Sequence, residues 1–180
     1  MKLRDNVTAA LLTAVLCVSA PLIIPVGPVP ISLATLGVYL AAGLLGPWRG
    51  VIAVGLYLLL GGIGVPVFAG FVGGFQQLVG VTGGFLWGYL LCALVVGLLI
   101  RLCHRPALLP LWLLCGAAAL YTVGVGWYLW QTGTTLYVAL LTIAPTFIAE
   151  VIKIAVATGV IRSLGRRMKD LKKGGRPHET

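Results

Sequence analysis

Residues Leu136–Arg162 read LYVALLTIAPTFIAEVIKIAVATGVIR. Before Arg162 this run carries two charges, Glu150 and Lys153, and it is longer than the roughly 20 residues a perpendicular membrane crossing needs. A soluble helix of this length would show a broad charged face. The run therefore reads as a helix solvated by lipid and ending in a basic segment.

The rest of the 180 residues agrees. Hydrophobic residues make up 59% and charged residues 9%, against about 25% charged in an ordinary globular protein. So few charges cannot cover a soluble shell, and so many apolar residues exclude disorder. Five further apolar runs lie at 7–24, 31–46, 50–65, 83–101 and 111–130. The expected fold class is an all-α integral membrane protein, a bundle of six transmembrane helices. Residues 1–162 form the membrane domain, and 163–180 form a basic cytoplasmic tail. The first run follows Lys2 and Arg4 and contains Val18-Ser19-Ala20, which resembles a signal-peptide cleavage site. Pro21 disfavours cleavage there, so the run is read as an uncleaved first span.

Net charge is +9, from 13 Lys+Arg and 4 Asp+Glu. All the basic residues except Lys153 lie at the N-terminus, at Arg49, at Arg101 and Arg105, or from Arg162 onward. The connections 25–30, 66–82 and 131–135 carry none. By the positive-inside rule this alternation puts both termini in the cytoplasm and implies an even number of spans. The basic excess suits an anionic membrane surface rather than nucleic acid. Two uncharged connections are unusual: Pro25–Pro30 holds three prolines, and Pro66–Thr82 is rich in glycine. Both are expected to fold back over the mouth of the bundle.

Glu150 and Lys153 stand at i and i+3, on one face of the last helix. Each costs roughly 2.5–3.5 kcal/mol or more at a bilayer centre unless satisfied. A mutually neutralising pair is one reading; a functional site is the other. Pro145 can kink or start the helix nearby. One carboxylate and one ammonium suit a neutral head with both donors and acceptors, such as a cyclic urea or amide. Capture of an acidic group by Lys153 is the alternative. Phe68, Phe71, Phe75, Trp127 and Tyr128 are candidate walls, and Gln76, Gln77 and Thr82 candidate neutral hydrogen-bonding groups. Trp48, Trp87 and Trp112 are wall residues or interfacial anchors.

Small residues recur every four positions at Gly80, Gly84 and Gly88, and at Ala10 and Ala14. Such spacing allows close helix approach, either inside the bundle or against a partner. The four cysteines lack metal-ligand spacing and are expected to be small packing residues. No Walker, HExxH or GxSxG motif occurs. An enzyme is not expected, nor a cofactor, and any ATP-driven step would need other subunits.

Several stretches together resemble the BioY proteins, the biotin-specific substrate-binding subunits of energy-coupling factor (ECF) transporters. They are Val29–Val38 (VPISLATLGV), Gly46–Gly50 (GPWRG), Leu58–Gly70 (LLLGGIGVPVFAG), Gly80–Phe85 (GVTGGF) and Pro145–Lys153 (PTFIAEVIK). The resemblance implies a six-helix bundle in a bacterial or archaeal cytoplasmic membrane that captures biotin from outside. It also implies docking on a transmembrane coupling subunit driven by two ATPase subunits. Ala10 and Ala14 match the family's docking pattern, and Glu150 and Lys153 its ligand pair. Two positions depart from the family pattern: Glu150 stands where aspartate is expected, and Val81 where proline is usual. A subunit of the same class for another vitamin, and a stand-alone proton-coupled carrier using Glu150, remain as alternatives.

Overall fold

The computed structural model describes residues 3–25, 31–103 and 105–174. In chain order the elements are α1 (Leu3–Ser19), β1 (Ile23–Ile24), β2 (Ile31–Ser32), α2 (Ala34–Leu45) and α3 (Pro47–Gly62). They continue with α4 (Phe75–Val79), α5 (Gly83–Leu102), a 3₁₀ turn (Pro106–Leu108), α6 (Leu109–Thr132) and α7 (Leu136–Gly174).

Each expected apolar run contains one long helix, with shifted ends. The runs at 7–24 and 31–46 are not helical to their facing ends, as the sequence leads one to expect. Instead Ile23 pairs with Ser32 and Ile24 with Ile31, antiparallel. Pro21 and Pro25 break the helix, and β-branched isoleucines suit a short ribbon. Of the proline-rich connection Pro25–Pro30, residues 26–30 lie outside the described residues. Ser32 ties the ribbon down: its hydroxyl donates to the Ala20 carbonyl at 2.7 Å and accepts from the Ala34 amide at 3.0 Å. The third helix starts at Pro47 rather than at 50. Gly46 alone makes the turn, at φ +80°, a conformation glycine adopts without strain. Pro47 then takes the first helical position, where its missing N–H costs nothing.

Among the described residues, three segments are long and apolar enough to cross a membrane: Gly83–Leu102, Pro106–Thr132 and Leu136–Leu164. Val7–Ser19, Ala34–Leu45 and Pro47–Gly62 are shorter apolar helices. Helix α7 continues through Pro145 and on to Gly174, so the segment read as a tail begins as an extension of the last helix.

Helices α5 and α6 form the central hairpin, with α2 lying across α1, α3, α5 and α7. The core includes Tyr39, Tyr57, Cys92, Val96, Leu113, Leu120 and Ile143. Gly84 and Gly88 serve this core. A β-carbon on Gly84 would lie 2.1 Å from Cβ of Trp127, and one on Gly88 2.7 Å from a Leu120 methyl. That stripe is internal helix packing. Of the four cysteines, Cys92 is fully buried and Cys17 partly so, but Cys103 and Cys115 are exposed, so packing does not explain those two.

Helices α3 and α5 bring their backbones together at Gly97, where an added β-carbon would sit 2.4 Å from Cα of Pro47. Gly97→Val is therefore expected to lower stability by about 1–3 kcal/mol, the usual cost of overpacking. Gly55 is the control, since a β-carbon added there would have nothing within 4 Å. Gly55→Ala is expected to be neutral or stabilising. Thermal unfolding of both variants in detergent measures this. An unchanged transition in Gly97→Val would show that α3 and α5 are not held at this distance.

The ends of the bundle differ in charge. Arg162 donates from Nε and Nη2 to the Pro106 carbonyl at 3.2 and 2.7 Å. Ile161 packs on Gly43, and Gly97 on Pro47, so Arg49, Arg101, Arg105 and Arg162 gather at one end. At the other, the Gly70 amide donates to the Pro21 carbonyl at 3.1 Å, tying the uncharged 66–82 connection to the end of the first run.

Candidate ligand-binding site

At the uncharged half of the bundle, α2, α5, α6 and α7 surround a cavity of about 790 Å³, its open mouth included. Helix α2 contributes Thr35, α5 contributes Phe85, Leu86 and Tyr89, and α6 contributes Leu120 and Tyr121. Thr146, Glu150 and Lys153 come from α7. Ile31 and Ser32 of β2, with Phe68, Ala69, Val72, Gln77 and Thr82 of the 66–82 segment, complete the lining. Most of this surface is apolar, and its charges are concentrated in one place. An apolar cavity with a few placed polar groups is the usual design of a small-ligand site.

The charged place is the Glu150–Lys153 pair, 3% and 7% exposed. Lys153 Nζ lies 3.0 Å from Glu150 Oε2. Burial of such a pair is tolerable only when the remaining lone pairs and protons are satisfied. Three hydroxyls do this. Tyr39 donates to Oε1 at 2.6 Å. Thr35 and Tyr121 each lie 3.3 Å from Oε2. Thr35 in turn accepts from Lys153 Nζ at 2.9 Å, so one threonine bridges both charges. Tyr121 also reaches the Thr146 hydroxyl at 3.3 Å, and that hydroxyl donates to the Ile143 carbonyl at 2.6 Å.

An ammonium has three protons, and Lys153 directs two of them to Glu150 and Thr35. Among the described residues nothing takes the third, which is open to a ligand acceptor. The two 3.3 Å contacts on Oε2 are long for O–H···O bonds, which prefer 2.5–3.0 Å. A ligand N–H can replace them at little cost. The arrangement can thus give one donor and one acceptor to a neutral polar head.

Of the residues singled out in the sequence, the cavity brings together Glu150, Lys153, Phe68, Gln77 and Thr82. Gln76, Trp127 and Tyr128 lie outside it. Gln76 is exposed on α4. Tyr128 is buried in the α5–α6 core. Trp127 is a clamp rather than a wall: its Nε1 donates to the Gly80 carbonyl at 2.9 Å. Trp87 does the same to Leu78 at 3.1 Å, and Gln131 to the Val79 carbonyl. Three successive carbonyls at the end of α4, Leu78 to Gly80, thus accept side-chain donors, that of Gly80 in addition to the Gly83 amide at 2.9 Å. The same clamp fixes the segment that carries Gln77 and Thr82. Phe71 and Phe75 point outward, 65% and 67% exposed. Phe68 turns inward, edge-on to Tyr57 at 5.5 Å between ring centres. Ala10 and Ala14 do not line the cavity and are exposed on α1.

Thr35, Tyr39 and Tyr121 are not among the residues that the sequence singles out. A signal for them exists: a buried ion pair needs hydroxyl partners, and Thr35 and Tyr39 share a helix face at i and i+4.

Comparison with known proteins bears on the chain as a whole. The family model described as the BioY family matches residues 1–170. The probable biotin transporter BioY of Pyrococcus horikoshii is 31% identical over 164 residues, covering 91% of this chain and 98% of that one. The biotin transporter BioY of Rhodobacter capsulatus is 37% identical, covering 91% and 95%. A partial match to the biotin transporter BioY of Thermotoga maritima is 50% identical over 97 residues, 54% of this chain and 57% of that one. Among solved structures, the S-component for biotin from an ECF-type ABC transporter superposes with a TM-score of 0.86 at 29% identity, covering 92% of each chain. These relatives are transporters and a transporter component, not enzymes. From its matched length and its superposition, the chain belongs to the BioY family.

Proposed function

We propose that this chain is the biotin-binding S component of an ECF-type transporter. It captures biotin from outside and delivers it by docking on a membrane coupling subunit driven by ATPase subunits. All six long helices cross the cytoplasmic membrane, the shorter three with help from their flanking residues. Both termini are cytoplasmic, consistent with the basic end of the bundle. Residues 1–162 are the membrane domain, and 163–180 are a basic cytoplasmic tail.

The observation that carries this reading is the Glu150–Lys153 pair at the polar end of an otherwise apolar cavity. Biotin presents a cyclic urea on an apolar fused bicycle, with an aliphatic tail ending in a carboxylate. A ureido N–H donates to Glu150, and Lys153 donates its free proton to the ureido oxygen. The rings pack against Phe68, Phe85, Leu86 and Leu120. The tail runs toward the 66–82 segment, where Gln77 and Thr82 supply neutral donors. The reverse pose would put the tail carboxylate beside Glu150, only 3.0 Å from Lys153, and suffer like-charge repulsion.

Equilibrium binding of labelled biotin to the purified chain in detergent, without other subunits, is the test. Stoichiometric binding displaced by unlabelled biotin is expected. Biotin methyl ester should compete nearly as well, because the tail carboxylate does not meet Lys153. A folded sample that binds another vitamin, or none, would overturn the biotin assignment. Uptake by vesicles that hold this chain alone, driven by a pH gradient without ATP, would overturn the ECF reading.

A further inference from the structure

Tyr39 is placed differently from every other partner of Glu150. Thr35, Tyr121 and Lys153 all line the cavity. Tyr39 does not line it and is 0% exposed. Its hydroxyl approaches the carboxylate from inside the bundle and takes Oε1 at 2.6 Å, the shortest contact the carboxylate makes among the described residues. The three cavity-lining partners all meet Oε2, at 3.0–3.3 Å. The carboxylate is therefore pinned by one oxygen from behind, and its other oxygen is turned toward the cavity.

The length of the acid matters to this arrangement. A glutamate on α7 reaches the Tyr39 hydroxyl on α2. An aspartate at the same position would be shorter by one methylene, on the order of 1.5 Å. Its oxygen would then lie well beyond hydrogen-bond distance of Tyr39, where the contact is lost. Tyr39 and Glu150 thus form a matched pair, with Lys153, Thr35 and Tyr121 as the other groups facing the carboxylate.

We propose that Tyr39 is a positioning residue: through Oε1 it fixes the orientation in which Glu150 Oε2 meets the ligand, and it does so only for a glutamate. The inference rests on the cavity being the biotin site. It assigns Tyr39 no contact with the ligand.

A double-mutant cycle tests it, read as equilibrium binding of labelled biotin to the purified full chain. Tyr39→Phe keeps the ring and deletes only the hydroxyl. In the native background it is expected to weaken binding by about tenfold, the scale of one hydrogen bond to a charged group. In the Glu150→Asp background it should change affinity by less than about twofold, because the contact is already gone. Equal losses in both backgrounds would show that Tyr39 acts through packing and would overturn the proposal, as would no loss in the native background. A native chain that binds no biotin would overturn the ligand assignment and this inference together. Native binding with uncoupled losses overturns the role of Tyr39 alone.

Discussion

In the Lys153→Ala variant, labelled biotin is expected to bind at least about ten- to a hundredfold more weakly, the scale of a buried hydrogen bond to a charged group. Glu150→Ala should lose as much. The two differ in what they do to the fold. Without Lys153, the carboxylate keeps hydroxyl donors from Tyr39, Thr35 and Tyr121. Without Glu150, the ammonium keeps one acceptor, Thr35. Removing one partner of a buried pair costs about 3–5 kcal/mol when the other is stranded. Glu150→Ala should therefore fall near the top of that range, and Lys153→Ala below it.

Binding and folding can be separated by removing both charges. Glu150→Leu with Lys153→Met strands no ion, so thermal stability should recover relative to Glu150→Ala. Recovery should be incomplete, because the Tyr39 hydroxyl loses the acceptor it has among the described residues. Biotin affinity should not recover at all. Equilibrium binding and thermal unfolding on the four proteins measure this. Native affinity in either single variant would show that the pair only neutralises itself and that the ligand is held elsewhere.

How much of this is legible in the sequence differs by level. The helices are, because a lipid-facing helix announces itself by length and lack of charge, as at Leu136–Arg162. Their ends are less so. Pro47 reads as part of a turn, though proline at a first helical position is as ordinary as proline in a turn. Ile23 and Ile31 read as helical because apolar runs carry no period that separates a short ribbon from a helix end. At the site, Glu150 and Lys153 are visible because charge in an apolar run is costly wherever the chain goes. The hydroxyl groups around them are signalled only through the pair's need for partners, since Thr35, Tyr39 and Tyr121 carry no such penalty and meet Glu150 only through tertiary packing. Trp127 and Phe71 show the converse. An aromatic residue near a helix end is equally compatible with a cavity wall, a clamp and an outward-facing surface, and only the fold chooses among them.

The second large effect concerns delivery rather than capture. Replacing Ala10 and Ala14 together by tryptophan is expected to leave biotin affinity unchanged and to abolish ATP-dependent uptake by the assembled transporter. On α1 these two residues are exposed, four apart, flanked by exposed Val7, Leu11 and Val18. The opposite face holds the helix to the bundle: Leu12 and Leu16 are buried, and the Thr13 hydroxyl lies 3.2 Å from the Ala53 carbonyl of α3. A large side chain at 10 or 14 therefore points away from the described residues of the bundle. It prevents the close backbone approach that small residues allow between helices in lipid. Leu12→Ala gives the contrasting control, since it should lower thermal stability by roughly 2–5 kcal/mol if buried as fully as in a soluble core, while leaving the exposed face intact. Biotin binding to the isolated chain and uptake by proteoliposomes with the partner subunits and ATP distinguish the two. Undiminished uptake by the double tryptophan variant would move the docking surface off α1. A joint loss of binding and uptake would mean that this face supports the fold and is not a free surface awaiting a partner.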